Sequence, residues 1–307
     1  MFAFSDSLRP YVLAALLGLL ACGRANAEGF NFSSPFAKLA LPKDRVETSN
    51  GFDMTGKSWS AYSAAVISPA GPLHHDGLRL KLLGSFGAYA YDTKRVYCAL
   101  SAEEKKKATG TNFSRLCNDL ANRPLTPEER DEVVETIAPF GLQLEGDQIF
   151  HVQPHQIMHY DLAIMPGYQV SWRAVTLKAY LGPAMETRSI TPADSEKLLA
   201  GTYWGAKTGL ETWIGLGSAF WLAADTSYFT GTEAYSASLR FGYKPLSWLT
   251  LGPEIAAFGD AEDESARAGG FLRFQLGKVE TTVSGGVSAD YQGGTSPYGS
   301  AGFYLKF

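Results

Sequence analysis

The sequence predicts an all-β protein, an antiparallel outer-membrane β-barrel of about twelve strands (10–12) with a small helical insertion in one long loop. Three observations predict it. Short segments alternate apolar and polar residues along most of the chain, the links between them are short and long in turn, and an export address precedes them. Alternation with period 2 means that one face of a strand meets apolar surroundings and the other does not. The composition agrees, with 32 Gly in 307 residues, 13% aromatic, 45% hydrophobic and 19% charged residues. That is too apolar a chain for disorder. A formal charge of −4 offers no basic surface for phosphates, so nucleic acid is excluded as a partner. Three cysteines are too few for a disulfide-built scaffold.

Residues 1–27 read as a signal peptide. Arg9 supplies the positive n-region, Tyr11 to Ala21 the apolar run, and Ala25-Asn26-Ala27 the small-x-small cleavage pattern. A competing lipoprotein reading rests on Leu19-Leu20-Ala21-Cys22, where Leu20 is a poor match. Both readings export the chain. No later stretch reaches ~18 consecutive apolar residues, so no helix is expected to cross a bilayer. Residues 28–55 are polar and weakly patterned, and they read as a periplasmic lead-in to a barrel domain at 56–307.

Eleven alternating segments follow, near 57–67, 78–91, 157–169, 173–184, 202–214, 218–228, 234–244, 248–258, 266–276, 279–291 and 298–307. In one, Tyr235, Ala237, Leu239, Phe241 and Tyr243 oppose Ser236, Ser238 and Arg240. In another, Val175, Leu177, Ala179 and Leu181 oppose Thr176, Lys178 and Tyr180. Their length suits a tilted bilayer-crossing strand of about 9–11 residues plus its ends. Short turns at 170–173, 215–217, 245–247 and 277–278 alternate with longer links at 186–201, 229–233, 258–265 and 292–297. That is the habit of outer-membrane barrels, whose short turns are periplasmic. Both termini on one side require an even strand count, so a twelfth strand is expected before Trp59. A soluble sandwich or lipocalin-like barrel also alternates, but it turns its polar face outward. Here the aliphatic face is the consistent one, and its partner is membrane lipid.

The stretch 93–155 breaks the pattern. Ser101-x-x-Glu104 and Thr126-x-x-Glu129 resemble capping boxes, with Pro127 at the first helical position. A small extracellular helical cap is expected there. Cys98 and Cys117 fall inside it, and in an oxidising compartment they are expected to form a disulfide.

Candidate chemistry is sparse. His151, His155 and His159 recur every four residues, which would align metal ligands on a helix, but Pro154 argues against that helix. No metal, cofactor or catalytic residue is assigned, and no recognised nucleophile motif is present. The polar phase of the strands carries Arg79, Lys81, Asp161, Lys178, Lys207, Glu211, Arg240, Glu254, Arg267, Arg273, Glu280 and Asp290. Mixed signs in one lumen suggest a salt-bridged interior, with a charged track for a solute or polymer as the other reading. Glu254 is expected to pair with Arg240 or Arg267, because a lone lumen carboxylate carries a desolvation cost. Tyr203, Trp204, Trp213, Trp221, Tyr228, Tyr243 and Trp248 lie near segment ends and mostly read as an interfacial girdle.

Several motifs resemble one family. They are Asp76-Gly77-Leu78 with Ser85-Phe86-Gly87-Ala88-Tyr89-Ala90-Tyr91-Asp92, and Asp161 with Pro166-Gly167-Tyr168-Gln169. Leu177-Lys178-Ala179-Tyr180-Leu181-Gly182, Thr191-Pro192-Ala193-Asp194 and Gly201-Thr202-Tyr203-Trp204-Gly205 follow. The most specific is Gly252-Pro253-Glu254-Ile255-Ala256-Ala257-Phe258-Gly259 with Arg267-Ala268-Gly269-Gly270-Phe271. Together they resemble the BcsS family of bacterial cellulose-biosynthesis accessory proteins over about 57–307, departing at 93–155. The resemblance implies an envelope accessory of cellulose production or export, non-enzymatic, in the outer membrane. Its partners would be cellulose or another glucan and other cellulose-synthesis components. It supplies no catalytic residues. The rival readings are a lipid-modifying or hydrolytic barrel enzyme and a small-solute channel.

Overall fold

Twelve antiparallel strands close into a barrel in the computed structural model, which describes residues 44–111, 113–123, 125–194, 199–289 and 294–307. The signal peptide, Cys22 and Asp290 lie outside the described residues. Thirteen strands form one sheet. They are β1 (Val46–Met54), β2 (Ser58–Ile67), β3 (Gly77–Val96), β4 (Leu142–Glu145), β5 (Gln148–Trp172), β6 (Val175–Thr191) and β7 (Gly201–Leu216), then β8 (Phe220–Phe229), β9 (Ala234–Leu246), β10 (Leu249–Gly259), β11 (Glu264–Leu276), β12 (Val279–Ala289) and β13 (Thr295–Lys306). Each barrel strand pairs with its neighbours in the chain. β1 meets β13 and β3 meets β5, so no edge of the ring is left open. The short β4 hangs on β5 outside the ring.

The twelfth strand is β1, so the stretch expected as a lead-in contributes Val46–Met54 to the barrel wall. Its outward positions include Thr48 and Asn50, which hide the alternation. β3, β5, β6 and β7 are 20, 25, 17 and 16 residues long, well beyond the segments read from the sequence. β3 runs to Val96 and β5 starts at Gln148, so the irregular insertion is 97–147 rather than 93–155. The alternation is harder to see there because His151, Pro154 and His155 replace the aliphatic residues, yet the backbone stays paired. The histidine run is strand, not helix.

Outward-facing side chains are large and apolar. Leu78, Leu82, Leu162, Ile164, Leu181, Leu239, Ile255, Leu272, Val283 and Val287 are all exposed. The described residues separate into two compact units, one drawn from 44–88, 158–189 and 199–307, the other from 89–157 and 190–194. The first holds most of the barrel wall. The second contains three helices, α1 (Ala102–Thr109), α2 (Ser114–Asn122) and α3 (Pro127–Ile137). Ser101 and Thr126 each close a capping box, with Glu104 and Glu129. Cys98 and Cys117 are joined by a disulfide. Around it Tyr97, Leu120, Ile137, Leu142 and Ile149 form a small core of their own.

Candidate functional site: the charged and aromatic lumen

The interior of the barrel is defined by ion pairs that join strands remote from each other around the ring. Lys178 on β6 meets Glu47 on β1, and Arg267 on β11 meets Asp53 on β1. Lys81 on β3 reaches Glu211 on β7 at 2.5 Å, and Lys207 on β7 lies 3.4 Å from Asp161 on β5. Such contacts can form only across the enclosed space. Lys178 also lies 3.7 Å from Glu211, so Glu47, Lys178, Glu211 and Lys81 make a continuous chain of alternating sign. The Tyr304 hydroxyl donates to Glu47 at 2.6 Å, and Ser85 donates to Asp161 at 2.5 Å.

Glu254 accepts from side chains of three strands. It is 4% exposed and stands directly opposite Arg240 in the β9–β10 register. Arg240 Nε donates to Oε2 at 2.9 Å, Ser284 Oγ donates to the same oxygen at 3.1 Å, and the Tyr298 hydroxyl donates to Oε1 at 2.9 Å. Arg267 goes elsewhere, to Asp53, with its guanidinium over the Tyr298 ring. Arg273 lies 3.3 Å from Glu280, an ion-pair distance without hydrogen-bond alignment at Nε. Arg79 has a different role from the one its charge suggests. It donates to the carbonyls of Leu73 and His75 and to Ser68 Oγ and Gln169 Oε1. Gln169 Nε2 also donates to the Leu73 carbonyl. Together they fasten the 68–76 link, a long connection on the side otherwise served by short turns. Asp290 lies outside the described residues.

Glu47, Asp53 and Asp225 also line the lumen, outside the set of sequence candidates. Glu47 and Asp53 sit on β1, whose weak alternation concealed their phase. Asp225 shares a face with Trp221, Ser227 and Phe229 on β8, where the aromatic neighbours mask a polar phase. A further buried cluster stands toward the long-loop ends. Arg188 contacts Glu186 at 2.5 Å and Asp260 at 2.6 Å, and Thr232 donates to Glu186 at 2.8 Å.

Two tryptophans expected at an interface face the lumen. Trp213 shares a strand face with Glu211, and its ring stacks on Trp221 with centroids 4.2 Å apart. Trp221 packs on Phe271 and lies under the Arg273 guanidinium. It fits against the wall because Gly242 is opposite, where a Cβ would overlap the indole. Trp204 and Tyr228 are exposed.

In the second unit, His155 stacks on Tyr91 at 5.0 Å. Its Nδ1 lies 2.9 Å from the Pro192 carbonyl, which can only accept, so Nδ1 carries the proton. Nε2 lies 3.0 Å from the Thr93 hydroxyl. The ring is buried and bridges strands. Among the described residues no group of three His, Cys, Asp or Glu side chains is arranged to hold a metal ion.

Among solved structures the chain is similar to the KdgM porin (TM-score 0.40, 8% identity, covering 85% of this chain and 99% of that one). It is also similar to the translocator domain of autotransporter NalP from Neisseria meningitidis (TM-score 0.40, 8% identity, 98% and 97%). A third is an outer membrane channel from Pseudomonas putida F1 (TM-score 0.41, 11% identity, 87% and 97%). No curated relative matches the chain. The family model for cellulose biosynthesis protein BcsS matches residues 146–307. That span holds β5 to β13, with Glu254, Arg240, Trp213 and Trp221, while the motifs at 76–92 fall outside it. With more than half of its length matched, the chain belongs to the BcsS family of cellulose biosynthesis proteins.

Proposed function

We propose that the protein is a non-enzymatic outer-membrane barrel that assists the export or anchoring of the glucan made by a cellulose synthase. Membership of a cellulose-biosynthesis family carries this reading. The exposed aliphatic belt of Leu162, Ile164, Leu181, Ile255, Leu272 and Val287 supports a seat in lipid, since a soluble barrel would turn its polar face outward. In that seat the short turns face the periplasm and the synthase, and the longer links face the exterior. The lumen supports a passive role. Glu47, Asp161, Glu211 and Glu254 are engaged with cations and hydroxyls, as Glu254 is with Arg240, Ser284 and Tyr298, rather than poised as acid and base. Other cellulose-synthesis components and the glucan itself are the expected partners.

Deletion of the coding sequence in a cellulose-producing strain tests this, with cell-bound and released cellulose assayed separately. Loss of cellulose, or its redistribution between the two fractions, is the expected result. Unchanged glucan in both fractions would overturn the reading.

A further inference from the structure

We propose that the lumen carries a binding site for a neutral β-linked glucan segment, with the Trp213 ring as its stacking platform and the Asp225 carboxylate as its hydroxyl acceptor. The proposal rests on the cellulose reading above and assigns it a place in the barrel.

The site is built from the β7–β8 register, in which Glu211 faces Asp225 and Trp213 faces Ala223. Paired residues of antiparallel strands share a face, so Glu211, Trp213 and Asp225 all project into the lumen. Trp221 is 6% exposed and buttressed by Phe271 and Arg273, whereas Trp213 is 37% exposed despite lying on the same inner face. One face of the Trp213 indole is covered by Trp221 and the Arg273 guanidinium lies 5.6 Å from its ring centroid, and the 37% that stays exposed opens to the lumen. A large apolar ring held open inside a polar cavity is costly unless something covers it.

The charges beside it make a second, independent argument. Two carboxylates directly opposite each other on neighbouring strands repel. Glu211 is neutralised by Lys81 and Lys178. Asp225 is exposed and makes no hydrogen bond or ion pair with any described residue. Lys81, Lys178 and Arg240 act on Asp225 through the lumen, but with no hydrogen bond to any described residue its oxygens can accept from a ligand. A β-linked glucose chain offers a flat C–H face to an aromatic ring and hydroxyls at its rim. Asp225 and Glu211 would accept from those hydroxyls, and Lys81 and Lys178 would donate to them. The Asp225 carboxylate, which makes no ion pair with a described residue, disfavours an anionic polymer at the platform. Trp213 lies close to the short-turn end of β7 (Gly201–Leu216), the end a glucan would meet first in the orientation proposed above.

The test is a titration of the full-length, detergent-folded protein with cellohexaose, read by tryptophan fluorescence and calorimetry. Maltohexaose and oligogalacturonate are run alongside, with heat-modifiability as the check of folding. Saturable binding of cellohexaose is expected, with weaker binding of maltohexaose and none of oligogalacturonate. Trp213→Ala should weaken binding at least about tenfold and Trp213→Phe should restore part of it, because the ring rather than the indole N–H is the platform. Asp225→Asn should weaken binding roughly threefold to tenfold with the barrel intact. No saturable cellohexaose signal, preference for oligogalacturonate, or a folded Trp213→Ala variant that binds as well as the parent would each overturn the proposal. Failure here and failure of the accessory reading are distinguishable. A barrel that binds no cellohexaose but whose deletion alters cellulose removes only this site. A barrel that binds cellohexaose but whose deletion leaves cellulose unchanged removes only the accessory role.

Discussion

Glu254 shows how one residue records the geometry of the whole lumen. Its two oxygens take three donors from β9, β12 and β13, so it ties its own strand to one direct neighbour and two more distant strands. Removing the charge alone keeps the shape but breaks the ion pair, leaving the Arg240 guanidinium without its counter-charge. Removing one partner of a fully buried pair costs about 3–5 kcal/mol. Arg240 retains some exposure to lumen water, so the expected cost of Glu254→Gln is smaller, about 1–3 kcal/mol. The measurement is the denaturant midpoint of the folded barrel in lipid or detergent. An unchanged midpoint would show that the pair contributes nothing net. The facing of Glu254 and Arg240 was legible because Ile255 and Leu239 beside them fix the phase of their strands. Glu47 and Asp53 could not be placed in the same way. Between them β1 reads Thr48-Ser49-Asn50-Gly51-Phe52, in which a single apolar residue is too little to display a period of 2.

At the scale of elements, the helices of the second unit are set by local chemistry that the sequence displays openly. Thr126 caps α3 and Glu129 reaches back to its backbone amide, while Arg123 holds Glu129 with two hydrogen bonds at 2.6 and 2.8 Å. The Arg123 hydrogen bond and then the Thr126 amide hold the Glu129 carboxyl down to about 2 from an ordinary 4.5. A carboxyl depressed in the folded state contributes its stability above its unfolded value, and that contribution is lost as pH falls through the folded one. The cap of α3 is therefore expected to be intact at pH 5 and above and to weaken progressively between about 4.5 and 2. Amide exchange of the first turn of α3 against pH would follow it. Glu129→Gln should remove the acid dependence, and an acid dependence unchanged in that variant would refute the assignment. The strands at the boundary of this unit were less legible than its helices. β3 and β5 continue to Val96 and from Gln148, through Asp92, Thr93, Pro154 and His155, where polar residues on both faces erase the period of 2. Trp213 and Trp221 face the lumen rather than the expected interface for a related reason. Position near a segment end suggests an interface, but strand phase decides the face. Trp221 is on the phase of Asp225, and Gly242 opposite makes the room for it.

For the whole molecule, the decisive question is what covers the outer wall, because a soluble β-barrel and a membrane barrel assign opposite meanings to the same alternation. Glu254 and Ile255 are consecutive in β10 (Leu249–Gly259), one 4% exposed and pointing inward, the other 54% exposed and pointing outward. Ile255 sits near the middle of its strand, hence near the bilayer midplane if the belt is in lipid. Arginine there would have to leave water for hydrocarbon, at a cost of about 2–4 kcal/mol for a lipid-facing position at mid-depth. On the surface of a soluble barrel the same change would be close to neutral, within about 0.5 kcal/mol. Ile255→Arg is therefore expected to reduce folding into lipid vesicles and recovery in the outer-membrane fraction, without disturbing the Glu254–Arg240 pair on the other face. The equivalent change near a strand end, Leu276→Arg, should be far milder, because Leu276 closes β11 beside the turn at 277–278 and its charge can reach the interface. A depth-dependent penalty between these two variants would place the aliphatic belt in a bilayer. Equal tolerance of both would mean that the outer wall faces water, and the proposal of a membrane-seated glucan accessory would fall with it.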